Sequence, residues 1–206
     1  MLLLAFDTAT PAITVAVHDG TDVVGEAEGR GAMAHGELLA AQIKSALDSA
    51  GASMRDVTDV AVGVGPGPFT GLRVGVVTAL TLGQTLGARI HGVCSLDILA
   101  ADVAGMDEFV VATDARRKEV YWARYREGRR ISGPAVDRPA VVAELGLPVL
   151  GRGAELYAEV LTRADGPLDP SAAALARLVA SGDAAELPLE PLYLRRPDAT
   201  PQPSTA

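Results

Sequence analysis

The sequence predicts an α/β protein that contains two related units. Short apolar runs alternate with longer segments whose apolar residues recur at helical spacing, which is typical of sheets flanked by helices. Each half of the chain opens with an apolar strand that ends in aspartate, at Asp7 and at Asp114, and continues into a meander before its helices. This repeated order indicates an internal duplication.

In the first half, turn residues separate the predicted elements. Asp19-Gly20 is typical of a hairpin turn, Gly51 of the residue after a helix, and Ser95 of a helix cap. The elements form a first lobe over residues 1–104. The predicted strands are 2–6, 12–18, 22–28, 57–64 and 90–93, and the predicted helices are 36–50, 71–86 and 96–104.

The second half repeats this order more loosely and forms a smaller lobe over residues 105–196. A strand at 109–114 is followed by an alternating strand at 120–126, which Gly128 turns back. Short helices and one further strand complete this lobe, at 139–145, 153–163, 171–181 and 149–150. Residues 197–206, rich in Pro, Ser, Thr and Ala, predict a flexible tail.

Composition excludes several classes of protein. The net charge of −8 and pI of about 4.9 argue against a free-standing nucleic-acid binder, because phosphate contacts need a basic surface. The single cysteine cannot form an internal disulfide. No apolar run reaches the roughly 18 residues of a membrane span, and residues 1–6 lack the basic start of a signal peptide. We therefore expect a cytoplasmic protein.

The most distinctive segment is the turn Gly65-Pro66-Gly67-Pro68, which joins a buried strand to a helix. Proline lacks a backbone donor, so this turn ends the strand, and Thr70 is suited to start the helix. A glycine-rich turn of this kind places backbone N–H groups where an anion or a close partner can sit.

The helix that follows carries a stripe of small residues at every fourth position. Four glycines lower helix propensity by about 1 kcal/mol each, so close packing must compensate. The stripe faces either the protein's own sheet or another subunit. We predict a subunit interface with help from helix 36–50, formed by Leu39, Ile43, Gly71, Leu72, Gly75, Val76, Ala79, Leu80 and Gly83.

Several segments together resemble the TsaB (YeaZ) family over residues 2–196. They are Asp7, the turn from Gly65 to Arg73, the segment 114–123 and Pro191-Leu192-Tyr193-Leu194-Arg195. Pro68 stands where the family more often has serine. The resemblance implies an actin/Hsp70-like ATPase fold made of two ribonuclease-H-like lobes, each with a mixed sheet flanked by helices.

The same resemblance implies a function. TsaB is the non-catalytic partner of the TsaD enzyme, which with TsaE makes threonylcarbamoyladenosine beside the anticodon of tRNA. We therefore expect a TsaD-like and a TsaE-like partner, contact with tRNA only through the complex, and a possible homodimer in isolation. The alternative is an enzyme in its own right, an ATPase of the same superfamily or a peptidase.

The expected site lacks the residues of a metal enzyme. TsaD resembles a metal protein with two histidines four residues apart on one helix, and this chain has Ser95 and Leu99 in those places. Its histidines, His18, His35 and His91, are scattered along the sequence. We expect no bound metal.

The expected phosphate turn is also reduced. Residues 7–11, Asp-Thr-Ala-Thr-Pro, contain no glycine, and Pro11 removes one amide donor. Asp7 could hold Mg²⁺ through water and Thr8 could bind a phosphate, but we expect a vestigial site. The chain should have no cofactor of its own, with ATP and Mg²⁺ confined to a site shared with partner subunits.

Two other groups have weaker functional interpretations. Asp7, Asp59 and Asp114 could imitate a ribonuclease-H carboxylate cluster, and Cys94 before a helix could be a nucleophile. A basic set in the second lobe could meet an acidic partner or assist tRNA binding, or it is a solvated surface. It comprises Arg116, Arg117, Lys118, Arg124 and Arg126.

Overall fold

The computed structural model describes residues 1–31 and 35–195, which form two mixed sheets with helices against them. The first half contains β1 (Leu3–Asp7), β2 (Ala12–His18), β3 (Val23–Arg30), α1 (His35–Ser49), β4 (Asp59–Gly65), α2 (Phe69–Leu86), β5 (Arg89–Cys94) and α3 (Ser95–Ala101). The second contains β6 (Glu108–Asp114), β7 (Val120–Arg126), β8 (Arg129–Asp137), α4 (Pro139–Ala143), β9 (Val149–Leu150), α5 (Arg152–Leu156), α6 (Ala172–Ser181) and β10 (Glu186–Leu187).

The first sheet has the strand order β10-β5-β4-β1-β2-β3. β1 runs antiparallel to β2 and parallel to β4, with Leu3 opposite Asp59. Because side chains alternate along a strand, Leu4 and Phe6 pack beneath α1 and α2, whereas Leu3 and Ala5 pack against α3 and the alanines of α6. The central strands β1 and β4 are therefore buried on both faces.

The second sheet has the order β8-β7-β6-β9. Its core lies partly against α3, whose Leu96 and Leu99 pack with Phe109 and Tyr125. The rings of Phe109 and Tyr125 are stacked, with their centroids 5.4 Å apart. Helix α3 thus contributes side chains to the cores of both sheets.

The predicted mixed α/β fold with two sheets flanked by helices is confirmed, with local differences. The helix predicted at 153–163 ends at Leu156, and β8 adds a strand that the sequence analysis did not predict. Residues 172–187 were predicted to lie in the second lobe, but α6 covers the first sheet and β10 extends it. The predicted tail at 197–206 lies outside the described residues. Across the described part of the chain, we find no helix with the length and apolar character to cross a membrane.

The stripe of small residues on α2 faces the chain's own sheet. Gly75 is buried, and a Cβ built there would lie 2.5 Å from Thr8 Oγ1 and 3.4 Å from Val62 Cγ2. A Cβ at Gly83 would overlap the Ile90 side chain. Glycine is required because the helix lies so close to the strands.

The prediction that the stripe forms a subunit interface is therefore wrong. Of the nine residues predicted to form this interface, eight are buried within the chain and Leu80 is exposed. The buried positions are Leu39, Ile43, Gly71, Leu72, Gly75, Val76, Ala79 and Gly83.

Replacing Gly75 by alanine should destabilise the isolated chain. The added methyl group meets Thr8, whose hydroxyl is held by the Gly71 carbonyl at 2.8 Å, so α2 or the Thr8 turn must shift. We expect the free energy of unfolding, measured by urea denaturation, to fall by about 1–3 kcal/mol. Gly36→Ala is the control, because no atom lies within 4 Å of the added methyl group in α1. Equal stability of the two variants would contradict this packing.

Candidate functional site

The first aspartate turn is closed by hydrogen bonds from the protein itself. Asp7 ends β1 and lies at the centre of this turn. Its Oδ1 accepts from the Ala9 amide at 2.7 Å, and its Oδ2 accepts from Ser95 Oγ at 2.6 Å. The same Ser95 oxygen accepts from the Gly65 amide at 3.1 Å. One hydroxyl thus joins β1, the β4–α2 turn and the first residue of α3.

The strand-to-helix turn fits against Asp7 and the residues after it. A Cβ at Gly63 would overlap the Asp7 carboxylate, and one at Gly67 would overlap the Ala9 carbonyl. Thr8 is fully buried, and its hydroxyl donates to the Gly71 carbonyl at 2.8 Å. Backbone atoms of Gly67 and Gly71 therefore lie directly against this turn.

Burial controls the ionisation of Asp7. Removal from water raises its pKa from 3.8 to about 6, although the hydrogen bonds from Ser95 and Ala9 act in the opposite direction. The negative charge of Asp169 adds to the increase. Both carboxylate oxygens of Asp7 are therefore hydrogen bonded to donors of the chain itself.

The other acidic residues do not join Asp7. Asp59 begins β4 opposite Leu3, so it lies at the other end of the sheet, and Asp114 ends β6 in the second sheet. The suggested ribonuclease-H cluster is therefore not formed. Within residues 1–31 and 35–195, no three His, Cys, Asp or Glu side chains converge as metal ligands would.

The candidate nucleophile Cys94 lies in an environment that disfavours its reactive form. Cys94 is fully buried, and desolvation raises the pKa of its thiol to about 12. The reactive form of a cysteine is the thiolate, which this environment disfavours. The interpretation of Cys94 as a nucleophile is wrong.

The basic set of the second lobe divides into two parts. Arg116, Arg117 and Lys118 lie in the β6–β7 turn with positive φ angles of 61°, 55° and 60°. Arg124 and Arg126 lie on β7, and both form ion pairs with Glu108. Because the β7 pair shares one carboxylate, its charge is partly neutralised within the chain.

Most of the exposed face of α2 was not predicted from the sequence. Phe69, Arg73, Val77 and Leu80 lie on the side opposite the glycines, and the three apolar residues are 38%, 58% and 41% exposed. Tyr193 stacks on Phe69 with ring centroids 5.2 Å apart and is 39% exposed. We call these five residues the α2 face.

Arg73 links the two aromatic residues of the α2 face. Its guanidinium carbon lies 3.8 Å from the centre of the Phe69 ring, and its Nε donates to Tyr193 Oη at 3.2 Å. The helical spacing of Phe69, Val77 and Leu80 carried a signal for this face in the sequence. The position of Tyr193 had none, because it comes from a distant part of the chain.

Replacing Asp7 by asparagine should change how stability depends on pH. The folded chain binds the Asp7 proton more tightly than the unfolded chain, because the pKa of Asp7 is higher in the folded state. This tighter binding favours folding fully below pH 3.8, and the contribution is lost as the pH rises through about 6. Over that window, urea denaturation should show wild-type stability falling relative to Asp7→Asn by on the order of 3 kcal/mol. Parallel pH profiles of the two chains would contradict the burial of an ionisable carboxyl group.

Comparison with known proteins places this geometry in a family. The family model described as TsaD, tRNA N6-adenosine threonylcarbamoyltransferase, matches residues 30–187. An uncharacterized protein of Mycobacterium tuberculosis is 45% identical over 203 residues, which cover 97% of this chain and 94% of that protein. The tRNA threonylcarbamoyladenosine biosynthesis protein TsaB of Escherichia coli is 36% identical over 132 residues, covering 61% of this chain and 55% of TsaB.

The chain spans about half the length of several curated relatives. The alignments cover 56% of an uncharacterized Mycobacterium leprae protein and 53–60% of four proteins named TsaB.

The similarity to solved structures extends over nearly the whole chain. YeaZ from Pseudomonas aeruginosa is 31% identical, with a TM-score of 0.75 over 94% of this chain and 99% of YeaZ. The ethanolamine utilization protein EutJ of Carboxydothermus hydrogenoformans shares the fold alone, with 12% identity and a TM-score of 0.56 over 85% of this chain and 89% of EutJ. The predicted actin-like fold is confirmed. On the family match and the likeness to YeaZ, the chain belongs to the TsaB/YeaZ family.

Proposed function

We propose that the chain acts in the biosynthesis of threonylcarbamoyladenosine in tRNA, as a subunit that binds a TsaD-like catalytic subunit and works with a TsaE-like ATPase. The names of the relatives in Escherichia coli and Bacillus subtilis support this pathway. The observation that carries the role of a binding subunit is the α2 face, an apolar surface on a helix whose other side is locked into the core.

The closed Asp7 turn supports a non-catalytic role. Both side chains of the expected phosphate turn, Asp7 and Thr8, are buried and hydrogen bonded to the chain's own groups. A triphosphate needs several free backbone amides at such a turn. We propose that any ATP and Mg²⁺ in the complex lie at a site shared with partner subunits.

The α2 face has the composition of the centre of a protein interface. Aromatic residues and arginine are enriched at such centres, and here Phe69, Tyr193 and Arg73 lie in mutual contact. The neighbouring helix α1 presents a polar surface that includes the ion pair of Lys44 and Asp48. This arrangement, with an apolar centre and a polar border, supports docking of a partner helix along α2.

Two further parts of the proposal follow from charge and symmetry. The net charge of −8 supports contact with tRNA only through the complex, because phosphate binding needs basic surface. In isolation the same apolar face can pair with a second copy of the chain, which makes a homodimer the alternative to the heterodimer. We place the protein in the cytoplasm, where tRNA is modified.

Replacing Leu80 by aspartate should abolish assembly without unfolding the chain. The side chain is 41% exposed, so the new carboxylate is solvated in the free subunit and desolvated in the complex. We expect the affinity for a TsaD-like subunit, measured by calorimetry, to fall at least about tenfold, with the melting temperature unchanged. Transfer of the threonylcarbamoyl group to tRNA by the reconstituted complex should fall with it.

Leu156→Asp is the matched control, because Leu156 is 50% exposed on α5 of the second lobe. This variant should keep both affinity and activity. Unchanged affinity of Leu80→Asp would contradict the proposed interface. ATP hydrolysis by the isolated chain that Asp7→Ala abolishes would support the enzyme alternative instead.

A further inference from the structure

The last described residues form a strap that returns to the first lobe. We call residues 186–195 the C-terminal strap. It begins with β10, whose Leu187 lies opposite Gly92 of β5, so closely that a Cβ at Gly92 would lie 2.9 Å from the Leu187 carbonyl oxygen. Further along, the Leu192 amide donates to the Val64 carbonyl at 2.8 Å, and Tyr193 then reaches the α2 face.

The first residue of the strap, Glu186, contacts a histidine of β5 that also contacts a second carboxylate. His91 lies on β5, with its Nδ1 2.7 Å from Glu186 Oε1 of the strap. Its Nε2 lies 3.2 Å from Asp59 Oδ1 of β4. Both ring nitrogens therefore point at groups that, when ionised, only accept hydrogen bonds.

The two carboxylates differ in environment. Asp59 is buried, whereas the Glu186 side chain is 57% exposed. Burial raises the pKa of Asp59, but hydrogen bonds from Thr58, Arg89 and His91 outweigh it and hold this pKa below its ordinary value. Asp59 is thus ionised, with Arg89 Nε at 2.8 Å as a cationic partner.

The remaining neighbours of this face of the sheet are mainly apolar. The end of α6 and the turn after it bring Val179 and Ala184 against the cluster that contains Ala61 and Val93. Asp183 on that turn is exposed. The charged groups that face His91 from β4, β5 and β10 are therefore Asp59, Arg89 and Glu186.

Only the protonated ring can satisfy both contacts. An imidazolium donates from both nitrogens, while a neutral imidazole donates from one and presents a lone pair at the other. The neutral ring can donate to one carboxylate only. We assign its proton to Asp59, because a buried carboxylate loses more than an exposed one when a donor is withdrawn, even though Thr58 and Arg89 also contact Asp59. Glu186 then faces a lone pair and moves into solvent.

We propose that His91 is a proton-operated latch for the C-terminal strap. The imidazolium bridges Asp59 and Glu186 and fastens β10 to the edge of the first sheet. Deprotonation releases Glu186, loosens β10, and thereby loosens the segment that carries Tyr193 to the α2 face.

Two measurements on the intact chain test the latch. The ¹⁵N chemical shifts of the His91 ring should show both nitrogens protonated at mildly acidic pH. His18 is the internal contrast, because its Nδ1 accepts a hydrogen bond from the Gly20 amide at 3.0 Å instead of facing a carboxylate. Hydrogen exchange, corrected for intrinsic rates, should show protection of the Leu187 and Leu192 amides falling about tenfold as His91 deprotonates.

His91→Gln and Glu186→Gln should abolish this pH dependence, with the exchange of Leu4 and Phe6 in β1 unchanged. His18→Gln is the matched control and should leave it intact. A His91 ring that is neutral throughout the acidic range, or strap protection that keeps its pH dependence in His91→Gln, would overturn the proposal. Neither measurement involves a partner subunit, so the latch can fail while the proposed function stands.

Discussion

The hydrogen bonds of Ser95 to Asp7 and Gly65 are the interactions on which the first lobe depends. They join the end of β1, the β4–α2 turn and the start of α3 inside the protein, where an unpaired carboxylate would be costly. For these segments to meet, their backbones must approach closely, which explains glycine at positions 63 and 67. The same closure brings Thr8 against Gly75 and sets the height of α2 above the sheet.

This closure separates the two sides of α2. The inner side consists of small residues because the strands lie directly beneath it, and it has no surface left for another molecule. The outer side keeps Val77 and Leu80 exposed beside a stacked aromatic pair. The first aspartate turn is thus packed against the chain's own backbone, and an apolar helix face stays exposed. These two properties are what the proposed binding role requires.

Much of the fold could be predicted from local patterns in the sequence. The strands that end at Asp7 and Asp114, the Gly/Pro turn and the helix after it were all identified from periodicity and turn residues. Periodicity also identified the small-residue face of α2, but it cannot say whether a sheet or a subunit covers that face. Of the outward residues, the predicted interface therefore included Leu80 alone.

The remaining features depend on contacts between distant residues. β10 has two residues, too few for any periodic signal, and its pairing with β5 joins positions far apart in the chain. The same holds for Ser95 with Asp7 and for His91 with Glu186. Each pair consists of ordinary residue types, and only the folded chain shows that they meet.

A structure of this chain bound to a TsaD-like subunit tests the central claim most directly. We expect the partner to cover Val77, Leu80 and Tyr193, with the Asp7 carboxylate still hydrogen bonded to Ser95 and the glycines of α2 still against their own sheet. A partner seated on the second lobe, with the α2 face left in solvent, would contradict the account. So would an opened Asp7 turn with Mg²⁺ and a nucleotide bound to this chain alone.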